Sequence, residues 1–225
     1  MQPDPQPQQP NYPPANPPVF KPSIPPPPPP AQKKPACELA QNSGLRGSGN
    51  WTIVGGPGGW YKPSNGNGEV TFETEGVRFR STSGNTRAGM VQELNRDVSA
   101  CSSLILSANV RADQQTLTGT GYNGREAPIA VFVKYTDVNG TLHEQLSENP
   151  NEPRNMYCNG FYYLDPTSPS INAHGTRVSR GSWYAFSTDL MQTSPRPKFI
   201  HFIGAEGGGW PMREGMINNL GLQCR

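Results

Sequence analysis

Several features that would assign this chain of 225 residues to a common class of enzyme or membrane protein are missing. No apolar run is long enough to span a bilayer, and Met1 is not followed by a basic and then apolar export signal. Helical periodicity is almost absent, which argues against an α/β enzyme fold. If the protein is exported, we expect a leader or a membrane anchor to precede this sequence.

Catalytic motifs are missing as well. The three histidines, His143, His174 and His201, are scattered, and there is no Gly-x-Ser-x-Gly elbow, His-Glu-x-x-His pair or phosphate-binding loop. His143 and His201 fall at predicted strand positions, which favours a structural, hydrogen-bonded role. No strand carries the paired carboxylates that a jelly-roll glycosidase needs. We therefore expect a protein that is not an enzyme.

The formal charge of +2 belongs entirely to the N-terminal segment, which contains Asp4, Lys21, Lys33 and Lys34. Residues 37–225 are neutral, so they lack the basic surface that binds phosphates, and we expect no nucleic-acid partner.

The same N-terminal segment holds 16 of the 26 prolines, including the run at residues 25–30. This composition predicts a disordered, extended linker over residues 1–36, which would act as a stalk. The alternative is a proline-rich ligand for a groove-type recognition domain. Residues 37–225 then have the right length for one domain.

The clearest secondary-structure signal lies at residues 129–135, where β-branched and aromatic residues dominate, followed by an Asn139-Gly140 hairpin turn. Ala130 and Phe132 would make one end of this strand apolar on both faces, while Lys134 and Thr136 would expose one face of the other end to solvent. Short strands separated by turn residues recur along the chain. Their predicted positions are 51–54, 70–74, 77–80, 90–94, 104–112, 157–164, 177–179, 183–190, 199–204 and 216–224. This pattern predicts an all-β sandwich or barrel.

Four cysteines occur, none in a Cys-x-x-Cys pair and none at a metal-ligand spacing from a histidine. Two disulfides in a secreted protein are the favoured interpretation, and four buried thiols in a cytosolic protein are the alternative. Three pairings are possible. We favour Cys37–Cys224 with Cys101–Cys158, because the terminal strands of sandwiches often lie side by side.

Several short motifs follow one another along the chain: Asn50-Trp51, Gly-Met-Val-Gln-Glu-Leu at residues 89–94, Asp97-Val98-Ser99, Gly181-Ser182-Trp183 with Asp189-Leu190, and Gly-Met-Ile-Asn-Asn-Leu-Gly-Leu at residues 215–222. Their order resembles that of the galactose-binding-like jelly rolls. The resemblance spans residues 50–223 and implies an antiparallel β-sandwich of jelly-roll type. Many non-catalytic carbohydrate-binding modules end on such a strand, and similar domains occur in bacterial surface proteins.

In that family a structural calcium often lies near the two termini, usually with an Asp where Asn218 or Asn219 stands here. Glu38, Glu73 and Glu75 are the available oxygen ligands, but exposed strand carboxylates are the simpler interpretation. We therefore predict no cofactor and no metal.

Sugar binding in such modules uses aromatic rings in loops, together with a few polar groups for the hydroxyls. The glycine-flanked loop residues that fit are Trp60, Tyr61, Tyr122, Arg125 and Trp210. The alternative for each loop tryptophan is to cover an end of the sandwich. Trp51 and Trp183 are predicted to lie in the core.

Two functions follow from these features. The first is a non-catalytic, extracellular or cell-surface binding module, with carbohydrate as its ligand, carried on a proline-rich stalk. The second is a structural or assembly domain of a surface layer, appendage or multiprotein complex, whose partner is a cell-surface protein.

Overall fold

A computed structural model describes residues 37–55, 68–81, 86–119, 126–144, 156–165, 175–209 and 212–225. The predicted linker, residues 1–36, lies outside these ranges, so the domain boundary stays a prediction. None of the helices in the described ranges is long and apolar enough to cross a membrane.

The described residues form β-strands and one short 3-10 helix, Leu190–Gln192, and contain no α-helix. The strands are β1 (Cys37–Glu38), β2 (Thr52–Gly55), β3 (Gly68–Glu73), β4 (Gly76–Ser81), β5 (Thr86–Asp97), β6 (Leu104–Gln114), β7 (Ile129–Asp137), β8 (Leu142–His143), β9 (Tyr157–Tyr162), β10 (Gly175–Arg177), β11 (Tyr184–Asp189), β12 (Pro197–Gly209) and β13 (Arg213–Cys224). The all-β prediction is confirmed.

The strands form two sheets. The first has the order β11-β6-β13-β4-β3, with β1 paired to β13, and the second has the order β10-β9-β7-β12-β5-β2, with β8 paired to β7. The chain crosses from one sheet to the other between β4 and β5, β5 and β6, and β6 and β7, as in a jelly roll. Described pairs are antiparallel except β9 with β10, which are parallel. The predicted jelly-roll sandwich is therefore confirmed, with one parallel pair that was not predicted.

The interlayer core follows from the alternation of side chains along the strands. In β6, alternate residues from Leu104 to Ala112 are buried, while the residues between them are half-buried. From the facing sheet, Ile129, Val131, Val133, Ile200 and Ile203 complete this layer. Because both sheets contribute alternate residues, one shared core holds the two layers together.

The central strand β7 is buried on both faces, as predicted. Residues 129–133 are at most 1% exposed, and Lys134 and Thr136 are half-buried. Phe132 points away from the interlayer core. It shares this face of the sheet with Cys158, its register partner in β9. The second apolar cluster on that side consists of Val54, Val91, Ala130, Phe132, Met156, Cys158 and Phe202. The second sheet therefore has an apolar layer on each side.

A buried polar cluster closes the predicted hairpin between β7 and β8. Asp137 Oδ1 accepts hydrogen bonds from the backbone N–H groups of Asn139 at 2.8 Å and Thr141 at 2.9 Å. Asp137 Oδ2 lies 2.9 Å from His143 Nε2, and the His143 ring stacks on Tyr135 with centroids 4.4 Å apart. Asp137 and His143 are each 2% exposed. His143 is thus a structural residue.

The disulfide differs from both predicted pairs. Cys101 bonds to Cys224, with Cα atoms 5.3 Å apart. Cys37 is the register partner of Cys224 in the β1–β13 pair, so the two termini of the domain do lie side by side. Cys37 itself is exposed and forms no disulfide.

The second predicted pair, Cys101–Cys158, is wrong because the two side chains lie on different faces of the second sheet. Cys101 belongs to the interlayer core, whereas Cys158 belongs to the apolar cluster on the far side. Cys101 instead lies next to the C-terminus, where Ser102 donates its backbone N–H to the Arg225 carbonyl at 2.6 Å.

Replacing Cys37 and Cys101 together by Ser is expected to remove the disulfide and to lower the free energy of unfolding by as much as about 5 kcal/mol. The reason is the length of the closed loop, which spans 123 residues. The double variant is needed because Cys37 lies opposite Cys224 and would otherwise offer it a new partner. Urea unfolding measures the change.

The matched control is Cys37→Ser alone, which should keep both the disulfide and the stability of the wild type. Peptide mapping without reduction supplies the second readout. A peptide that joins Cys37 to Cys224, or Cys101 to Cys158, in the wild type would contradict the observed pairing.

The Asp137 carboxylate gives a pH-dependent prediction. Burial alone would raise the pKa of Asp137, but hydrogen bonds from His143, Thr141 and Asn139 outweigh it and hold the pKa below its usual range. Asp137→Ala should therefore cost about 2–3 kcal/mol at neutral pH. The contribution of the Asp137 carboxylate to stability is fully present above about pH 3.9, the pKa of an aspartate in the unfolded chain. It is lost as the pH falls through the lower pKa that Asp137 has in the folded protein.

Urea unfolding of the wild type and of Asp137→Ala between about pH 7 and about pH 3 tests this prediction. The exposed Asp165 supplies the control, since Asp165→Ala should change the stability by less than about 0.5 kcal/mol. A stability difference between wild type and Asp137→Ala that does not shrink in acid would contradict the proposed role of the carboxylate.

Candidate functional site

The five residues predicted to bind a ligand lie outside the described residues; they are Trp60, Tyr61, Tyr122, Arg125 and Trp210. The described chain that follows Trp60 and Trp210 can be located. Gly68 pairs with Ser81, which pairs on its other side with Arg213. The strands that follow these two tryptophans in the sequence, β3 and β13, therefore begin at the same end of the first sheet.

That end of the sandwich carries buried charges that the sequence did not reveal. Arg213 is 1% exposed, and Arg87 Nη1 lies 3.3 Å from Glu206 Oε1 in a pair that is also largely buried. Burial lowers the pKa of Arg213 to about 10; Glu126 opposes this shift and Arg87 adds to it. Charged residues are mostly exposed in proteins, so the sequence pattern does not predict that these side chains are buried.

The two tryptophans assigned to the core behave differently. Trp51 is 5% exposed and its Nε1 donates a hydrogen bond to the Asn42 carbonyl at 3.2 Å, so its core position is confirmed. Trp183 is 39% exposed, and that prediction is wrong. It precedes β11, the edge strand of the first sheet, and the guanidinium of Arg111 lies 5.1 Å from its ring centroid.

A groove of about 580 Å³ opens where β9, β10 and β11 meet. It is lined by Tyr163, Arg177, Val178, Ser179, Arg180 and Tyr184, and we call it the tyrosine–arginine groove. Its volume falls within the range of roughly 300–1,000 Å³ that is common for ligand sites. Two aromatic rings and two guanidinium groups thus share one concave surface.

The buried carboxamide of Gln115 fixes the first tyrosine. Gln115 Oε1 accepts the backbone N–H of Tyr163 at 2.9 Å, and the Tyr163 hydroxyl donates to the Gln115 carbonyl at 3.4 Å. Gln115 Nε2 donates to the carbonyls of Leu117 and Gly119, each at 2.6 Å. With every polar atom of this carboxamide bonded, the chain after β9 is held against the end of β6.

A tight turn between β10 and β11 fixes the second arginine. Ser182 donates its backbone N–H to Ser179, and Gly181, with a φ of 68°, supplies the left-handed residue that the turn requires. Arg180 Nε donates to the Asp113 carbonyl at 3.1 Å, and its guanidinium carbon lies 5.5 Å from the Tyr163 ring centroid. The Arg180 side chain is therefore held at two points.

The other arginine and the other tyrosine of the groove are also exposed. Arg177 Nε lies 2.7 Å from Asp165 Oδ1, and both side chains are about two-thirds exposed. The Tyr184 side chain is 38% exposed and contacts Phe161 with ring centroids 6.2 Å apart. Tyr184 thus contacts the core through Phe161 and is partly exposed in the groove.

A second groove, of about 430 Å³, lies beside β2 and β5 and has a different character. Its central polar residue, Gln92, is 4% exposed and is already bonded to the backbone of Gln41 and Asn50. Its aromatic residue, Trp51, is buried. This groove therefore offers a ligand no exposed aromatic ring, and its central amide is already bonded.

The carboxylates considered for calcium have other partners. Glu38 Oε1 accepts the backbone N–H groups of Ala40 and Leu222, Glu73 pairs with Arg78, and Glu75 pairs with Arg111. Among the described residues, no three or more His, Cys, Asp or Glu side chains are placed to hold a metal ion.

The histidines have separate surroundings. His174 lies outside the described ranges. His201 Nε2 lies 2.8 Å from Thr136 Oγ1, and burial together with the nearby Lys134 lowers the pKa of His201. His143 stacks instead on Tyr135. Tyr135 is adjacent to Thr136 in β7, so the side chains of these two residues point to opposite faces of the sheet. His143 and His201 therefore do not form a common site.

Comparison with known proteins finds similarity only among solved structures. No protein-family model and no curated protein matches the chain. The family 11 carbohydrate-binding module of the cellulosomal cellulase Lic26A-Cel5E of Clostridium thermocellum is similar at 13% identity and a TM-score of 0.42, over 84% of this chain and 95% of that chain.

Two further carbohydrate-binding modules are similar to a comparable degree. TmCBM61, solved in complex with beta-1,4-galactotriose, has 11% identity and a TM-score of 0.41, over 84% of this chain and 99% of that chain. CBM29_1 from Piromyces equi has 10% identity and a TM-score of 0.38, over 85% of this chain and 91% of that chain. We base the proposal of function on the groove and not on these similarities.

The groove residues were not selected from the sequence, although a signal was present. Arg177, Arg180, Trp183 and Tyr184 fall within eight residues around the turn glycine Gly181. A criterion that favours glycine-flanked aromatic residues in loops does not assign a binding role to this segment. The contribution of Tyr163 depends on the parallel pairing of β9 with β10 and could not be read locally.

Proposed function

We propose that this chain is a non-catalytic carbohydrate-binding module whose sugar ligand binds in the tyrosine–arginine groove. A pyranose has an apolar face that packs on an aromatic ring and hydroxyl groups that need polar partners. The exposed ring of Tyr184 supplies the first, and the guanidinium groups of Arg177 and Arg180 supply the second. The juxtaposition of these rings and guanidinium groups in one groove carries the proposal.

The loop residues Trp60, Tyr61, Tyr122, Arg125 and Trp210 are proposed as further ligand contacts. Their support is their sequence context, in which flanking glycines allow close approach of the backbone to a ligand. They form a separate part of the proposal, because their contribution can be tested independently of the groove.

We further propose that the module acts outside the cell, with residues 1–36 as a stalk. The Cys101–Cys224 disulfide supports an oxidising compartment, since structural disulfides are rare in the cytosol. The proline content of the stalk supports an extended conformation that keeps the domain away from its attachment point.

One observation favours the second candidate, an assembly domain. Strand β11 stands at an edge of the first sheet as described, and the neighbouring Trp183 and Tyr184 are exposed. An exposed edge strand with aromatic residues can pair with a strand of a partner protein. In that case the same residues would contact protein and not sugar.

A glycan array, followed by calorimetry on the best ligand, tests the proposal. Tyr184→Ala should weaken binding roughly tenfold, which corresponds to about 1.4 kcal/mol, because it removes the exposed ring. The matched control is Trp183→Ala, which removes the adjacent exposed ring outside the groove and should leave the affinity unchanged. Thermal unfolding of both variants verifies that they are folded.

Trp60→Ala and Trp210→Ala test the loop contacts in the same assay. Loss of binding in these variants with no effect of Tyr184→Ala would move the site from the groove to the loops. Absence of binding to every glycan by the folded wild type would overturn the carbohydrate proposal and favour the assembly role.

A further inference from the structure

We infer that the sugar recognised in the tyrosine–arginine groove carries an anionic group, a carboxylate or a sulfate; this inference rests on the proposed function. The reason lies in the charges of the groove. Arg177 and Arg180 contribute two positive charges, and within the described chain Asp165 is the one carboxylate at ion-pair distance from either of them. Since Asp165 is engaged by Arg177, the groove retains one positive charge at Arg180.

The guanidinium of Arg180 is held by two contacts and has no carboxylate partner among the described residues. Its Nε donates to the Asp113 carbonyl and its guanidinium carbon lies 5.5 Å from the Tyr163 ring centroid, so these two contacts restrict the side chain before a ligand arrives. Within the described chain, no carboxylate lies within ion-pair distance of Arg180. Its two terminal nitrogens remain available as a planar pair of donors.

The arginines on the outer face of the first sheet are placed differently. Arg78 contacts Glu73 and Glu214, and Arg111 contacts Asp113 and Glu75. These guanidinium groups are neutralised by neighbours on the same face, which leaves little charge for a ligand. Among the residues that the structure describes, Arg180 has no such neighbour. The carboxylate of Asp113 lies close by, but it pairs with Arg78 and Arg111.

The chain segment that joins Asp165 to Gly175 adds no compensating charge. Residues 166–174 read Pro-Thr-Ser-Pro-Ser-Ile-Asn-Ala-His and contain neither Asp nor Glu. The positive charge at Arg180 therefore does not depend on where this segment lies. A planar guanidinium with two free donors fits a carboxylate or a sulfate better than a neutral hydroxyl, because both oxygens of the anion can accept hydrogen bonds.

Calorimetry of the full chain with matched oligosaccharides tests the inference. The first pair is a galacturonic acid oligosaccharide and its methyl ester, and the second is a sulfated galactan oligosaccharide and its desulfated form. We expect at least one acidic member to bind about tenfold more tightly than its neutral partner. The pair that shows the preference identifies the anion as carboxylate or sulfate.

Arg180→Gln should abolish the preference for the acidic member while leaving the weaker binding of the neutral member in place. Arg180→Lys keeps the charge but not the planar pair of donors, so it should retain only part of the preference. The matched control is Arg96→Gln, which makes the same change of charge in the other groove and should keep the full preference.

Equal binding of acidic and neutral members, weakened by Tyr184→Ala, would overturn this inference and leave the proposed function intact. An equal loss of preference in Arg96→Gln and Arg180→Gln would also overturn it, because the effect would then come from overall charge. Absence of binding to both neutral and acidic glycans would overturn the proposed function itself, and this inference with it.

Discussion

The architecture depends on the burial of strand β7 on both of its faces. Residues 129–133 are apolar without interruption, so neither face of this strand can be left in water. One face packs against the facing sheet, and the other face packs in the second apolar cluster around Phe132. Both faces at the centre of the second sheet are thereby occupied by packing, which leaves the edges and ends of the sandwich for recognition.

The tyrosine–arginine groove illustrates this division. Its floor is Val178, which belongs to the interlayer core, and Tyr184 rests an edge on the buried Phe161. The polar groups around them are held by backbone bonds to the end of β6, chiefly through Gln115 and Arg180. A rigid core thus positions exposed rings and cations at the rim, as a preorganised site requires.

The parts of the fold that the sequence could predict are those governed by local alternation. Strand β7, its hairpin turn and the inward residues of β6 each follow from a period of two along one segment. The disulfide could not be predicted in this way, because the pairing depends on which face each cysteine occupies after the strands are in register. Cys101 and Cys158 are both buried, yet a whole sheet separates their side chains.

The candidate site was harder still to predict, since Tyr163, Arg180 and Tyr184 come together only where the β9–β10 pair of the second sheet meets β11 of the first sheet. The exposure of Trp183 shows the same difficulty in one residue. Alternation along the strand predicted at residues 183–190 assigns Trp183 to a face, but only the position of β11 at the edge of its sheet decides that this face is open. Edge position is a property of the whole topology and not of the local sequence.

The Cys101–Cys224 bond also changes what a cut in the chain would do. It encloses the whole chain from the start of β6 to the end of β13 in one covalent ring. A protease that cleaved a single peptide bond inside this ring would leave both fragments joined, and the cut would become visible on a gel only after reduction. A cut before Cys101 would separate the fragments under denaturing conditions without any reductant.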